Sequence, residues 1–142
     1  ARIHDFGGRI SVFETTIRTL GGLLSAYDLS KDRLFLDLSL QLGRRIAALV
    51  KANGVTPYTF DGSPRTVRCP TLAESGTIQL EMRYLSQVSG DRSFADKVDQ
   101  FYATVRKQWS LDGLYPKCFM DGHGVITFGA DGDSFYEYLL KV

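Results

Sequence analysis

Three acids sit where helical patterns begin. Glu14 lies near the start of the first, Glu74 near the start of the third and Asp133 at the start of the last. If those helices form one layer of successive helical hairpins, their N-terminal ends gather on one face and three carboxylates converge there. Carboxylates gathered in that way can do acid–base chemistry. The alternative is plain helix stabilisation, since a first-turn carboxylate gains about 0.3–1 kcal/mol from the helix dipole. On pattern alone both readings stay open.

Other chemistries find less support. His4 and His123 are far apart in the chain, and neither Cys69 nor Cys118 belongs to a CxxC pair, so a zinc site has no sequence support. Two cysteines allow at most one internal disulfide, and two free, partly buried thiols are the expected state. Asn53, the only asparagine, is followed by Gly-Val, which leaves no N-glycosylation acceptor.

The 142 residues are enough for one domain with a substantial core, and 44% hydrophobic content argues against disorder. Seventeen basic and 16 acidic residues give a net charge of +1 with no basic patch, so no nucleic-acid partner is expected. No apolar run approaches the roughly 18–20 residues that span a bilayer. The opening ARIHDFGGRI has neither an initiator Met nor the apolar core of a signal peptide, in keeping with an excised or partial sequence.

The elements that must position the acids read as helices. Val12, Phe13, Ile17, Leu20, Leu24 and Tyr27 recur at helical spacing over about 10–29, with Gly21-Gly22 expected at a close helix–helix contact. Ser30-Lys31-Asp32 opens a second helix carrying Leu34, Leu38, Leu42, Ile46, Leu49 and Val50, and Asn53-Gly54 closes it. Residues 55–70, with Pro57, Gly62 and Pro64, read as an irregular loop. A third helix is expected over about 71–88, and a fourth from Ser93 through Phe94, Val98, Phe101, Tyr102 and Val105 to Trp109. From Asp112 to Phe128 the pattern suggests two short strands about a DGHG turn, and a last helix starts at Asp133. Ser30–Phe35 and Ser89–Phe94 share S-x-D-R-x-F, 59 residues apart, which suggests stacked αα-hairpins or a turn reached twice independently. The fold class is therefore all-α with a small β-hairpin.

Four stretches carry a family resemblance. Ser11–Tyr27 is similar to the FETxIRxLGGLLSAY signature of family-47 α-mannosidases, and Leu72–Glu81 to that family's LAExGSLxLEF segment. Asp112-Gly-Leu-Tyr-Pro116 fits a DGLYP element, and Phe128–Lys141 resembles GAxxDSxYEYLLK. They occur in the family's order and cover nearly the whole chain, so residues 1–142 are read as a partial family-47 catalytic domain.

The resemblance implies αα-hairpins forming part of an (αα)7 barrel and an inverting α-1,2-mannosidase acting on high-mannose N-glycans of glycoproteins. It implies Glu14 as general acid and Asp133 as the acid that activates water. Arg18, Glu74 and Asp131 fall at sugar-contacting positions, Asp131 where relatives of strict specificity often carry Arg. An inverting pair stands about 6.5–9.5 Å apart to admit the water, and the acid needs a raised pKa, from burial or a neighbouring like charge. Glu81 and Glu137 lie in the matched motifs with packing or exposure as equal alternatives. Tyr136 and Tyr138 are read as core, Arg83 and Arg92 as solvated helix-face residues.

The resemblance also implies Ca²⁺, whose protein ligand lies in a later motif that this chain lacks, and an endoplasmic reticulum or Golgi lumen, with a membrane-anchored parent compatible. Family-47 domains are several times longer, so the remainder of the catalytic domain is an expected partner and the chain alone is expected to be inactive. Two other readings remain: a quality-control homologue that binds mannose-type glycans with little cleavage, and a helical interaction module whose acids only cap helices.

Overall fold

The computed structural model describes residues 9–63, 69–122 and 124–142; His4, His123 and the Pro64 part of the expected loop lie outside them. Seven α-helical segments are described: α1 (Val12–Glu14), α2 (Gly21–Ser30), α3 (Arg33–Leu49), α4 (Leu72–Gly76), α5 (Gln79–Ser89), α6 (Ser93–Val105) and α7 (Asp133–Leu139). None of the described helices is long and apolar enough to cross a membrane.

The first expected helix is not uniform. Between α1 and α2 the stretch Thr15–Leu20 is π-helical. Thr16 Oγ1 donates to the Val12 carbonyl at 2.8 Å, and the Gly21 amide reaches back to Arg18 and Thr16. A side-chain hydroxyl bonded back to a carbonyl disturbs the regular ladder, and wide turns of this kind recur at functional sites. The third expected helix also splits, at Thr77-Ile78. Gln79 repairs the break from a fully buried position, its amide donating to the Ser75 carbonyl at 2.8 Å and accepting from the Ile78 amide at 3.1 Å.

α2 packs against α3, and α5 against α6, as two αα-hairpins whose turns are the two copies of S-x-D-R-x-F. Both turns are built alike. Ser30 Oγ accepts from the Asp32 amide and Ser89 Oγ from the Asp91 amide. Asp32 then accepts from the Leu34 amide and Asp91 from the Ser93 amide, covering orphan donors of the next helix. The intervening residue is left-handed in each, Lys31 at φ 56° and Gly90 at φ 79°.

The core has two parts. Leu24, Leu36, Leu42, Ile46, Met82, Leu85, Phe94 and Val98 join the hairpins. The buried stripe of α3 runs through Leu36, Ser39, Leu42, Gly43 and Ile46, so Leu34 is exposed rather than inward. The close helix approach expected at Gly21-Gly22 occurs at Gly43, where an added Cβ would stand 2.2 Å from Leu85 Cδ2. At Gly21 the nearest side-chain atom, on Glu81, would be an ordinary 3.6 Å away, and at Gly22 no described heavy atom comes within 4 Å.

The second part is aromatic. Phe101, Phe119 and Phe135 are fully or almost fully buried, with edge-to-face centroids at 5.3 and 5.9 Å about Phe101. Gly76 makes room for them: a Cβ there would lie 2.5 Å from Phe135 and 2.9 Å from Phe101. This cluster seats α7 on α4.

Further expectations are corrected in the second half of the chain. The described residues between Asp112 and Phe128 form no strands. In their place are an isolated Leu111–Leu114 bridge, a turn bond from the Asp121 amide to the Cys118 carbonyl at 3.1 Å and a bond from the Lys117 amide to the Val125 carbonyl at 2.9 Å. The reason is competition. The Lys117 carbonyl accepts from the Leu72 amide at 2.9 Å and Phe119 enters the aromatic core, so this segment belongs to α4. The thiols are not free either: Cys69 and Cys118 form a disulfide with Cα atoms 5.6 Å apart. Trp109 lies beyond the end of α6 and is 42% exposed.

Gly54 supplies a stability prediction. Its φ is 79°, and a Cβ would fall 2.1 Å from the Phe101 backbone nitrogen. Backbone cannot yield as a side chain does, so Gly54→Ala should cost about 3 kcal/mol or more. Gly90→Ala, with the same φ but no described heavy atom within 4 Å, should cost only about 1–2 kcal/mol. Urea unfolding checks both, and equal losses would show that the Phe101 contact is not what matters.

Candidate active site

Ser11 and Thr71 start the segments that carry two of the acids. Ser11 Oγ accepts from the Glu14 amide at 3.2 Å, and Thr71 Oγ1 from the Glu74 amide at 3.3 Å. Each glutamate is thus the third residue after a hydroxyl cap. The spacing Ser11-x-x-Glu14 and Thr71-x-x-Glu74 is the sequence signal for both caps, and it identifies two residues that helical periodicity passes over. The start of α1 is also pinned to the 55–63 loop, the Val12 amide donating to the Tyr58 carbonyl at 2.9 Å and the Phe60 amide to the Ile10 carbonyl at 3.0 Å.

Asp133 opens α7, and its amide donates to the Gly129 carbonyl at 2.9 Å. Two residues earlier, Asp131 is left-handed at φ 74°, a region open to Asp at a cost of about 1 kcal/mol or more. Its carbonyl accepts from the Ala73 amide at 3.0 Å, which ties the approach to α7 to the first turn of α4.

The result is convergence. Glu14, Glu74, Asp131 and Asp133 all line one open cavity of about 330 Å³, at the low end of the size of small-ligand sites. Phe13 and Tyr58 add aromatic surface, and Ser134 adds a hydroxyl. Phe13 lies in the FET motif; Tyr58 comes from a loop with no periodic signal and is placed only by the fold. The acids thus lie together at one cavity instead of scattered over the surface.

Arg18 does not line the cavity. Its Nε donates to Glu14 Oε2, with the two side chains 73% and 47% exposed. An ion pair so exposed adds at most about 1 kcal/mol of stability.

The remaining candidates separate. Glu81 is 8% exposed, accepts from the Tyr138 hydroxyl at 2.9 Å and is pushed above the usual carboxylate range by burial. It borders a different cavity, between α2 and α5. Glu137 is exposed and pairs with Lys141 at 2.5 Å. Tyr138 is core, and Tyr136 is half-buried, its hydroxyl accepting from the Tyr115 amide at 2.9 Å and donating to its carbonyl at 3.1 Å. Arg92 is solvated, but Arg83 pairs with Asp99 at 2.9 Å over the Tyr102 ring.

The acids do not by themselves form a Ca²⁺ cage. Among the described residues, the one group of three or more Asp, Glu, His or Cys ligand atoms within 4.8 Å of one another is Cys69, Cys118 and Asp121, whose sulfurs are joined to each other. A calcium site wants six to eight oxygens, which no such cluster of acids supplies among the described residues.

Comparison with known proteins agrees with this architecture. The family model for glycosyl hydrolase family 47 matches residues 4–142. The chain is 40% identical over 146 residues to mannosyl-oligosaccharide 1,2-alpha-mannosidase MNS1 of Arabidopsis thaliana, covering 93% of this chain and 26% of that protein. It is 40% identical over 147 residues to the endoplasmic reticulum mannosyl-oligosaccharide 1,2-alpha-mannosidase of Homo sapiens, covering 93% and 21%. An alpha-1,2-mannosidase structure from Trichoderma reesei superposes with a TM-score of 0.66 at 28% identity, over 96% of this chain and 34% of that one. The chain spans about a quarter of the length of the curated relatives it matches. A family match that runs through the hairpins, the caps and the acid-lined cavity alike leaves one conclusion, that this chain belongs to glycosyl hydrolase family 47.

Proposed function

We propose that this chain forms part of the catalytic domain of an inverting α-1,2-mannosidase that trims high-mannose N-glycans on glycoproteins. The observation that carries the reading is the meeting of Glu14, Glu74, Asp131 and Asp133 on one cavity in a family-47 chain. Glu14 is assigned as the general acid, giving its proton to the glycosidic oxygen as the bond to the anomeric carbon breaks. Asp133 is assigned as the base, taking a proton from the water that attacks that carbon from the opposite face. Glu74 and Asp131 accept sugar hydroxyls, and Arg18 holds Glu14 in orientation. The family resemblance also implies Ca²⁺, with its protein ligand in a part of the catalytic domain outside this chain. The proposed setting is the lumen of the endoplasmic reticulum or Golgi, and relatives named for the endoplasmic reticulum support the first of these.

Titration of the chain with α-1,2-linked mannobiose, followed by amide resonances, tests the binding half. Shifts should centre on Glu14, Glu74, Asp131 and Asp133, and shifts confined elsewhere would sink the assignment. A catalytic domain carrying this chain should release β-mannose first in a proton NMR time course; α-mannose appearing first would exclude inversion. Binding without release by such a domain would turn the reading toward glycan recognition.

A further inference from the structure

Lys117 is not among the residues that line the cavity, yet its side chain bonds the lining residue Asp131 and its carbonyl bonds Leu72, the neighbour of the lining residue Ala73. Its ammonium donates to Asp131 Oδ2 at 3.2 Å, in a pair whose side chains are 32% and 12% exposed. Its carbonyl accepts from the Leu72 amide at 2.9 Å, at the first residue of α4. Its amide donates to the Val125 carbonyl at 2.9 Å. The next residue, Cys118, is bonded to Cys69, two residues before the Thr71 cap of the segment that carries Glu74.

Asp131 needs such support. It is a non-glycine residue in the left-handed region, and its carbonyl is the acceptor for Ala73, the neighbour of Glu74. Strained backbone of this kind persists only where surrounding contacts over-determine it. Removing the Lys117 ammonium takes away one of the contacts that hold this residue in place.

We infer that Lys117 is a positioning residue: it pins Asp131, and through Asp131 and Leu72 sets where Glu74 faces the sugar. The inference rests on the proposed mannoside site for its consequence, though not for its geometry. It acts through Asp131 and touches no substrate itself.

The test has one arm that needs no ligand. In Lys117→Met the Lys117 carbonyl is retained, so hydrogen exchange at the Leu72 amide should stay within threefold of the wild-type chain. Exchange at the Ala73 amide, which depends on Asp131, should accelerate at least tenfold. Lys117→Arg should restore protection at Ala73. Equal acceleration at Leu72, Ala73 and the core amides of Met82 and Val98 would mean general destabilisation, and an unchanged Ala73 would mean no role; either overturns the inference. Should Lys117→Met fail to fold, Asp131→Asn removes the ion pair from the other side. It should accelerate Ala73 alone, and an unaltered Ala73 overturns the inference as well.

The second arm is mannobiose titration of the full chain. Lys117→Met and Asp131→Asn should each weaken binding about tenfold, and the double variant should be no weaker than Asp131→Asn. Additive losses in the double variant would show that Lys117 does not act through Asp131. A wild-type chain that binds no mannobiose would refute the mannoside reading of the cavity, while the exchange arm still decides on Lys117.

Discussion

A Cys69→Ser, Cys118→Ser double variant should lose about 4 kcal/mol of stability. The bond closes a separation of 49 residues, and the loss of loop-closure entropy from the unfolded chain scales with the logarithm of that length. Small domains hold only about 5–15 kcal/mol in total, so the variant should unfold at a markedly lower urea concentration. The loop closed by this bond contains α4, α5 and α6, and its two ends flank the segments bearing Glu74 and Asp131. The chain treated with a reductant should show the same shift as the variant. An unchanged urea midpoint in both would mean that the bond contributes nothing to stability.

Glu14→Gln in a catalytic domain carrying this chain should lower the turnover number for mannose release by about 10²–10⁴-fold, the range supplied by a positioned general acid. Stability should barely change. The Ser11 cap bonds the Glu14 backbone amide, which the variant keeps, and the exposed Arg18 pair adds about 1 kcal/mol at most. Glutamine fills the same space and accepts from Arg18, but has no proton to give the leaving oxygen. Turnover within threefold of the parent protein, at an equal melting temperature, would remove Glu14 from the role. A loss of activity accompanied by a lower melting temperature would point to α1 instead of the chemistry.

Much of the helical framework was legible because its causes are local. Asp32 and Asp91 bond amides two residues away, so the repeated S-x-D-R-x-F announces its turn wherever it falls. The period of Leu42 and Ile46 marks α3 because those side chains share one face. Where local and distant partners compete, the same reasoning misleads. The 114–128 segment has the alternation of a hairpin, but the Lys117 carbonyl bonds α4 and Phe119 joins Phe101 and Phe135. The helix through Thr77 breaks although its apolar spacing continues, because Gln79 offers a buried substitute for the missing bonds.

For the candidate site, residue identity and place along the chain were sequence properties. Glu14, Glu74 and Asp133 stand at helix starts, and hydroxyl caps at fixed spacing mark two of those starts. Family membership is of the same kind, since it rests on ordered motifs. That the acids share one cavity with Asp131 is a property of the fold, because it depends on α7 docking on α4 through an aromatic cluster that Gly76 admits. The disulfide and the Lys117–Asp131 pair belong there too, at separations of 49 and 14 residues. Local chemistry determines how each segment starts and turns; only packing decides which segments meet, since burial of apolar surface acts without regard to distance along the chain.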